Sequence, residues 1–141
     1  MLKAKDMMSK DIISVKRTTS LLEALKIIVE NDITGLPVVT DDGSSSLVGI
    51  VSEKDFINLL YVTHNWERET VESVMTANPK SIDEDATVRD VCDCMMSNTF
   101  RRVPVVSKGK LLGIISRRDI VSFVKNRLER VGNLESFIEQ K

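Results

Sequence analysis

Two copies of a Ser-x-x-Asp motif are the residues of this chain best suited to chemistry. The first copy is Ser52 with Asp55, and the second is Ser116 with Asp119. Each serine follows a short apolar run of strand character and precedes an amphipathic helical pattern. The predicted pairs of strand and helix are residues 47–51 with 55–60 and residues 111–115 with 119–128. The motif is therefore expected where a strand ends and a helix begins.

Two interpretations of the motif are open. In a capping box, the serine accepts a backbone N–H and the acid three residues later accepts the N–H of the serine. Alternatively, the free N–H groups and positive dipole end of the helix attract a phosphate, which the serine hydroxyl also contacts. The aspartate would then accept both hydroxyls of a ribose. One residue can do both, because it can cap the empty helix and contact a ligand that arrives.

Composition limits the classes of function. The 141 residues are 42% hydrophobic, which is enough for one shared core. The formal net charge of −1 and the scattered basic residues argue against a general nucleic-acid or membrane-surface binder. The N-terminus lacks a signal peptide's apolar core, and no apolar run approaches the roughly 18 residues that span a bilayer. A cytoplasmic protein is expected.

The usual signatures of enzymes and metal sites are missing from the sequence. Cys92 and Cys94 would point to different faces of a helix, so they suit neither a disulfide nor a shared metal, and Cys92 is expected to fill core space. His64 is the only histidine, which removes a multi-histidine metal site. No glycine-rich dinucleotide or P-loop motif is present. We therefore predict no catalytic residue, no metal and no required cofactor.

The chain is a tandem repeat, and each copy has the same predicted order of strand, helix, strand, strand, helix. Residues 8–40 match residues 75–107 at an offset of 67, and after a longer first loop the offset becomes 64. Pro37 suggests an irregular, accessible strand edge. The remaining predicted elements are strands 12–15, 36–39, 80–82 and 103–106, and helices beginning after the boxes at Ser20 and Thr87.

Three predicted segments complete the organisation. They are a first repeat with its linker at 1–66, a second repeat at 67–130 and a tail at 131–141. Trp66 is expected to pin the linker, and His64 is expected to be a solvated linker residue. In the tail, Leu134, Phe137 and Ile138 have helical spacing, so it either packs back on the chain or docks on another one.

The full set of motifs resembles the tandem CBS pair, also called a Bateman module. The resemblance covers residues 6–124. It rests on the paired openings Met8-Ser9 and Met75-Thr76, the paired segments 35–39 and 102–106, and the two Ser-x-x-Asp endings. It implies an α/β fold of two β-α-β-β-α repeats related by pseudo-twofold symmetry, with two clefts between them. It also implies a regulatory sensor without catalysis that binds an adenine nucleotide, often as a homodimer.

The resemblance also implies a primary nucleotide cleft. Asp119 would hold the ribose, Ser116 would contact phosphate, and Ile13, Ile33 and Thr34 would contact adenine. Arg101 and Arg102 match positions where relatives contact phosphate. Two adjacent cations near a helix N-terminus are also a reasonable phosphate clamp on chemical grounds, although strand alternation predicts that one of them is a solvated surface residue.

A secondary cleft would use Ser52 and Asp55 with Lys80, Phe100 and Arg101. It is the weaker candidate, because Glu53-Lys54 replaces Arg117-Arg118 and an acid beside Ser52 repels phosphate.

The expected ligand is AMP, ADP or ATP, with S-adenosylmethionine less favoured. The expected partners are a second copy of the chain and an unseen enzyme or transporter, with no nucleic acid and no membrane insertion. The alternative is a structural or protein-interaction module whose clefts stay empty.

Overall fold

The structure is a computed structural model, and it describes residues 2–97 and 101–132. The chain divides into two compact units, which are described separately here. The first-repeat unit is Ile13–Pro79, and the second-repeat unit combines Met1–Ile12 with Lys80–Lys141. The predicted boundaries at 66 and 130 concern the sequence repeats and stay a prediction.

Helices and strands alternate in the predicted order within each repeat. In chain order they are α1 (Ala4–Met7), β1 (Val15–Lys16), α2 (Leu21–Glu30), β2 (Gly35–Val39), β3 (Leu47–Ser52), α3 (Glu53–Asn58), β4 (Thr76–Ala77), β5 (Ile82–Asp83), α4 (Val88–Ser97), β6 (Arg102–Ser107), β7 (Lys110–Ser116) and α5 (Arg117–Val131). Short 3-10 helices cover Leu59–Tyr61 and Val71–Ser73. Two small sheets with helices confirm the predicted α/β fold class.

The first-repeat unit has a four-stranded sheet in the order β1-β2-β3-β4. β1 runs parallel to β2, and the other neighbours are antiparallel. The apolar side chains of α2 at i, i+3 and i+7 are buried against this sheet, as the helical period requires: Leu21, Ala24 and Ile28. The second-repeat unit repeats the plan with the three-stranded sheet β5-β6-β7, whose hairpin turns at Lys108 and Gly109, both with positive φ.

The opening segment of each repeat packs in the unit of the other repeat. Ser9 exchanges two backbone hydrogen bonds with Ile114 of β7, at 2.8 and 3.0 Å between nitrogen and oxygen. Thr76 correspondingly pairs with Ile50 of β3. Glycine is required beneath both segments, since a Cβ at Gly113 would lie 2.8 Å from the Ser9 carbonyl oxygen. The paired Met-Ser and Met-Thr motifs are therefore packing motifs of the sheets.

The two short strands begin later than predicted. The expected strands 12–15 and 80–82 are Val15–Lys16 and Ile82–Asp83, because only these residues pair with β2 and β6. The helices after the Ser-x-x-Asp motifs begin earlier, at Glu53 and Arg117. Each serine is the N-cap residue, so its aspartate is already the third helical residue.

Pro37 is not at an accessible edge, contrary to prediction. It is buried, and β2 lies between β1 and β3. A proline fits there because the two-residue β1 pairs only with Val38 and Val39, so no strand requires the missing N–H of Pro37 on that side. The predicted irregularity is present as a register shift between Val38 and Val39.

The linker is anchored to the first-repeat unit. The Trp66 ring stacks on Phe56 with centroids 6.1 Å apart, and the Trp66 carbonyl accepts the N–H of Leu22, so the prediction that Trp66 pins the linker is confirmed. The prediction of a solvated His64 is wrong. Its Nδ1 lies 2.9 Å from Glu69 Oε1, and its side chain is only 19% exposed. The Glu69 carboxylate also accepts the N–H of Asn65. The contact between His64 and Glu69 therefore fixes the linker at this point.

The remaining local predictions concern Cys92 and the end of the chain. Cys92 is a free cysteine packed against the core of the second-repeat unit, and burial raises the pKa of its thiol. Gly132 ends α5 with a φ of 76°, which is the left-handed stop expected of glycine. Leu134, Phe137 and Ile138 lie outside the described residues, so both expectations for the tail stay predictions.

Candidate functional site

The end of the β6-β7 hairpin and the start of α5 form a corner rich in polar groups. We call it the Ser116 corner: Arg101, Arg102, Ser116, Arg117, Arg118 and Asp119. Arg102 and Ser116 are opposite partners in the hairpin, and the Arg117 N–H donates to the Arg101 carbonyl oxygen at 3.1 Å. The next pair inward, Val103 and Ile115, is buried in the core. Because strand side chains alternate, Arg102 and Ser116 lie together on the opposite face of the hairpin.

Ser116 and Asp119 form a complete capping box. The Asp119 N–H donates to Ser116 Oγ at 3.0 Å, and the Ser116 N–H donates to Asp119 Oδ2 at 2.8 Å. Asp119 Oδ1 has no hydrogen bond to any described residue. The cap therefore fixes the carboxylate by one oxygen and leaves the other available.

The four arginines of the Ser116 corner are exposed cations. Among residues 2–97 and 101–132, no carboxylate forms an ion pair with any of them. They stand at the N-terminus of a 15-residue helix, where the helix dipole adds a partial positive charge. The corner can therefore bind an anion through charged hydrogen bonds.

The equivalent corner of the first repeat has the same backbone but a different charge. We call it the Ser52 corner: Thr34, Gly35, Ser52, Glu53, Lys54 and Asp55. Gly35 pairs with Ser52, and the Glu53 N–H donates to the Thr34 carbonyl oxygen at 2.9 Å. Asp55 Oδ2 accepts the Ser52 N–H at 2.8 Å and the Ser52 hydroxyl at 3.1 Å. Two acids and one lysine replace four arginines and one acid, so this corner is less favourable to a phosphate than the Ser116 corner.

The other predicted site residues fall in separate units. Ile13 and Ile33 belong to the first-repeat unit, as does Thr34. Ile13 is 39% exposed just before β1, whereas Ile33 is partly buried against the core. Lys80 is exposed in the second-repeat unit, whereas Ser52 and Asp55 are in the first. Phe100 lies outside the described residues. The assignment of all these residues to a ligand stays a prediction.

The sequence-based site omitted two residues of the Ser116 corner, Arg117 and Arg118. The sequence contains a signal for them, because alignment of the two repeats shows that Arg117 and Arg118 stand where the first repeat has Glu53 and Lys54. Among the described residues, no three metal-ligating side chains are grouped so that they could hold a metal ion. The part of the chain that the structure describes also contains no helix long and apolar enough to cross a membrane.

Two β-α-β-β-α repeats with matched strand-to-helix corners define a class of tandem α/β modules. The sequence profile of the CBS domain matches residues 4–62 and 71–126. The chain therefore belongs to the CBS domain family, and the predicted resemblance is confirmed.

Several relatives and solved structures are similar to this chain. An uncharacterised Bacillus subtilis protein, YlbB, is 32% identical over 140 residues, which are 99% of this chain and 93% of YlbB. The chain spans less of other relatives, such as 58% of the chloroplastic CBSX1 of Arabidopsis thaliana.

Two of the similar structures carry adenosine compounds. Arabidopsis thaliana CBSX2 in complex with AMP is 30% identical with a TM-score of 0.79, and the match covers 90% of this chain and 98% of that one. The CBS pair of protein MJ0100, in complex with 5′-methylthioadenosine and S-adenosylmethionine, is 30% identical with a TM-score of 0.72, over 90% and 98% of the two chains. These neighbours support the class of a regulatory nucleotide-binding module.

Proposed function

We propose that this protein is a non-catalytic sensor that binds an adenine nucleotide, AMP or ATP above all. The Ser116 corner is the observation that carries the proposal. It combines a fixed carboxylate, a serine hydroxyl and unpaired arginines at a helix N-terminus, which are the groups that a ribose and a phosphate require. The AMP complex of CBSX2 supports the same choice of ligand.

Each group at the corner has a distinct role in the proposal. Asp119 Oδ2 stays on the Ser116 N–H, while Oδ1 accepts from the ribose hydroxyls. Ser116 Oγ accepts the Asp119 N–H and therefore still has its own hydrogen to donate to a phosphate oxygen. At least one of Arg101 and Arg102 supplies charge-assisted hydrogen bonds to the phosphate, and Arg102 is the better placed because it lies on the face of Ser116. Nucleotide binding and helix capping thus use the same two residues without conflict.

The adenine contacts and the secondary site are the less supported parts of the proposal. Ile13, Ile33 and Thr34 would contact the base. Ser52 and Asp55, with Lys80 and Phe100, would form a secondary site of low affinity for nucleotides, because Glu53 adds negative charge there. S-adenosylmethionine carries no phosphate, and its single carboxylate is accompanied by an ammonium and a sulfonium cation. It therefore offers the arginines less negative charge than a nucleotide does, and it ranks below the nucleotides.

Isothermal titration tests the proposal directly. The purified chain would be titrated with AMP, ADP, ATP, S-adenosylmethionine and, as a control for the base, GTP. We expect saturable heat with at least one adenine nucleotide and a weaker interaction with GTP. Absence of binding to every adenine compound would overturn the proposal, and equal binding of GTP would remove its adenine specificity.

The second candidate is an interaction module that dimerises, and α5 is the observation that favours it. None of the described side chains of this helix is buried, and an apolar stripe with spacing 3, 4 and 3 runs along it through Val121, Val124, Leu128 and Val131. Val124 packs partly against the core of the second-repeat unit, and the other three are exposed. This spacing suits packing against another helix, and a second copy of the chain is the expected partner. A homodimer is compatible with nucleotide binding.

Sedimentation equilibrium separates the two candidates. We expect a dimer that Leu128→Glu weakens, because a charge on the stripe opposes helix packing. If wild type and variant have the same mass, the stripe is not the interface. If the mass is that of a dimer but no adenine compound binds, the interaction module becomes the better account.

A further inference from the structure

The number of arginines at the Ser116 corner exceeds what one phosphate group needs. Arg102 is the first residue of β6 and Arg101 precedes it, and Arg117 and Arg118 are the first two residues of α5. The backbones are tied together by the 3.1 Å hydrogen bond from the Arg117 nitrogen to the Arg101 oxygen. The four side chains are exposed, and none is engaged by a carboxylate of the described residues. Four like charges thus share one corner with a single compensating acid, Asp119.

Such a concentration of positive charge attracts an anion of comparable charge. A terminal phosphate has three acceptor oxygens and about two negative charges at neutral pH. One or two bidentate arginines saturate those oxygens, so a monophosphate would leave the other guanidinium groups without an acceptor. A chain of two or three phosphates offers more oxygens, and each phosphate adds about one further negative charge.

We infer that the Ser116 corner selects an adenosine di- or triphosphate over the monophosphate, with Arg117 and Arg118 as the specificity-determining residues. This inference rests on the proposed function of nucleotide binding. Arg102 and Ser116 hold the first phosphate, and Arg117 and Arg118 at the start of α5 hold the rest of the phosphate chain. The ligand class is therefore narrower than the adenosine compounds bound by the similar structures.

A variant that lacks both charges gives the sharpest test. Arg117→Gln with Arg118→Gln removes the two cations and, unlike the Glu53-Lys54 pair of the first repeat, adds no acid beside the serine. Both arginines are exposed, and neither side chain makes a hydrogen bond or ion pair with a described residue. Arg130→Glu, in the last turn of the same helix, changes the net charge equally and serves as the control.

Titrations with AMP, ADP and ATP in magnesium-free buffer test the preference for a di- or triphosphate. We expect the wild type to bind ADP or ATP at least about tenfold more tightly than AMP, as one or more added charged hydrogen bonds would give. The double variant should lose most of this preference and keep its AMP affinity within about threefold, while Arg130→Glu behaves like wild type.

The outcomes separate the inference from the proposed function. AMP binding as tight as ATP binding in the wild type would overturn the inference and leave nucleotide binding intact. An equal loss of AMP and ATP affinity in the double variant would also overturn it, since Arg117 and Arg118 would then act on any anion. If no adenine nucleotide binds, the proposed function fails, and the inference fails with it.

Discussion

The Ser116 corner and the Ser52 corner have one backbone design and opposite electrostatics. In both, a strand ends at a serine, the aspartate three residues later accepts the serine N–H at 2.8 Å, and the hairpin partner strand begins alongside. Only the Ser116 corner surrounds this arrangement with four arginines. The comparison teaches that Ser-x-x-Asp by itself reports a helix cap, and that the neighbouring charges decide whether the cap can also bind a nucleotide.

The largest expected effect on stability concerns the glycines beneath the two opening segments. Gly113→Ala would place its Cβ 2.8 Å from the Ser9 carbonyl oxygen, and Gly49→Ala would place it 3.0 Å from that of Thr76. Because backbone must move in both cases, each substitution should lower the free energy of unfolding by about 1–3 kcal/mol. Urea denaturation measures both. An unchanged midpoint in either variant would show that its opening segment does not constrain the sheet.

A smaller effect is expected at the N-caps of the two long helices that precede the hairpins. The N–H of Glu23 donates to Ser20 Oγ, and the N–H of Asp90 donates to Thr87 Oγ1, both at 3.1 Å. Ser20→Ala and Thr87→Ala should therefore each cost about 1 kcal/mol of unfolding free energy. Similar losses of unfolding free energy in the two variants, measured by denaturation, would support equivalent caps. A negligible cost for one variant would break the equivalence of the repeats at this position.

The smallest effect is expected from two carboxylates, the half-buried Glu69 and the exposed Asp85, at acidic pH. The hydrogen bond with His64, followed by that of the Asn65 N–H, lowers the pKa of Glu69, and Lys3 followed by Lys5 lowers the pKa of Asp85. A carboxylate whose pKa is depressed by folding stabilises the protein above its unfolded pKa, and this contribution disappears as pH falls through its folded pKa. Both groups therefore add to the loss of stability in acid.

Variants in which a neutral amide replaces each carboxylate measure these contributions. With Glu69→Gln or Asp85→Asn, stability should fall less steeply than in wild type between about pH 6 and pH 3. Urea unfolding followed by Trp66 fluorescence gives the change for the first-repeat unit, and circular dichroism follows the whole chain. A pH dependence identical to that of wild type would show that the corresponding pair contributes nothing to folding.

Local sequence signals predicted much of the fold. The helical period and the boxes at Ser20 and Thr87 located α2 and α4, and the Lys108-Gly109 turn located the second hairpin. The short strands were misplaced because pairing with β2 or β6, which lies far along the chain, decides where a two-residue strand begins. The prediction for Pro37 was wrong for the same reason, since the place of β2 between β1 and β3 also depends on strand pairing.

The candidate site was predictable only where its chemistry is local. Ser116 and Asp119 are three residues apart, so one helix start brings them together, and the adjacent Arg117 and Arg118 could have been added from the same stretch. The position of Arg102 beside Ser116 depends on the register in which β6 pairs with β7. The contacts predicted for Ile13 and Lys80 depend on tertiary arrangement, which residue spacing does not encode.

The measurement that tests the central claim most directly is ATP titration of Asp119→Ala beside Asp55→Ala. Asp119→Ala loses the hydrogen bond from the Ser116 N–H, and Asp55→Ala loses the bonds from the Ser52 N–H and the Ser52 hydroxyl, so Asp55→Ala should cost at least as much stability. A larger loss of ATP affinity in Asp119→Ala therefore reports a ligand contact and not a loss of fold. We predict that Asp119→Ala weakens ATP binding by at least about tenfold while Asp55→Ala stays within about threefold of wild type. Equal losses in both variants, or a larger loss with Asp55→Ala, would contradict the assignment of the nucleotide to the Ser116 corner.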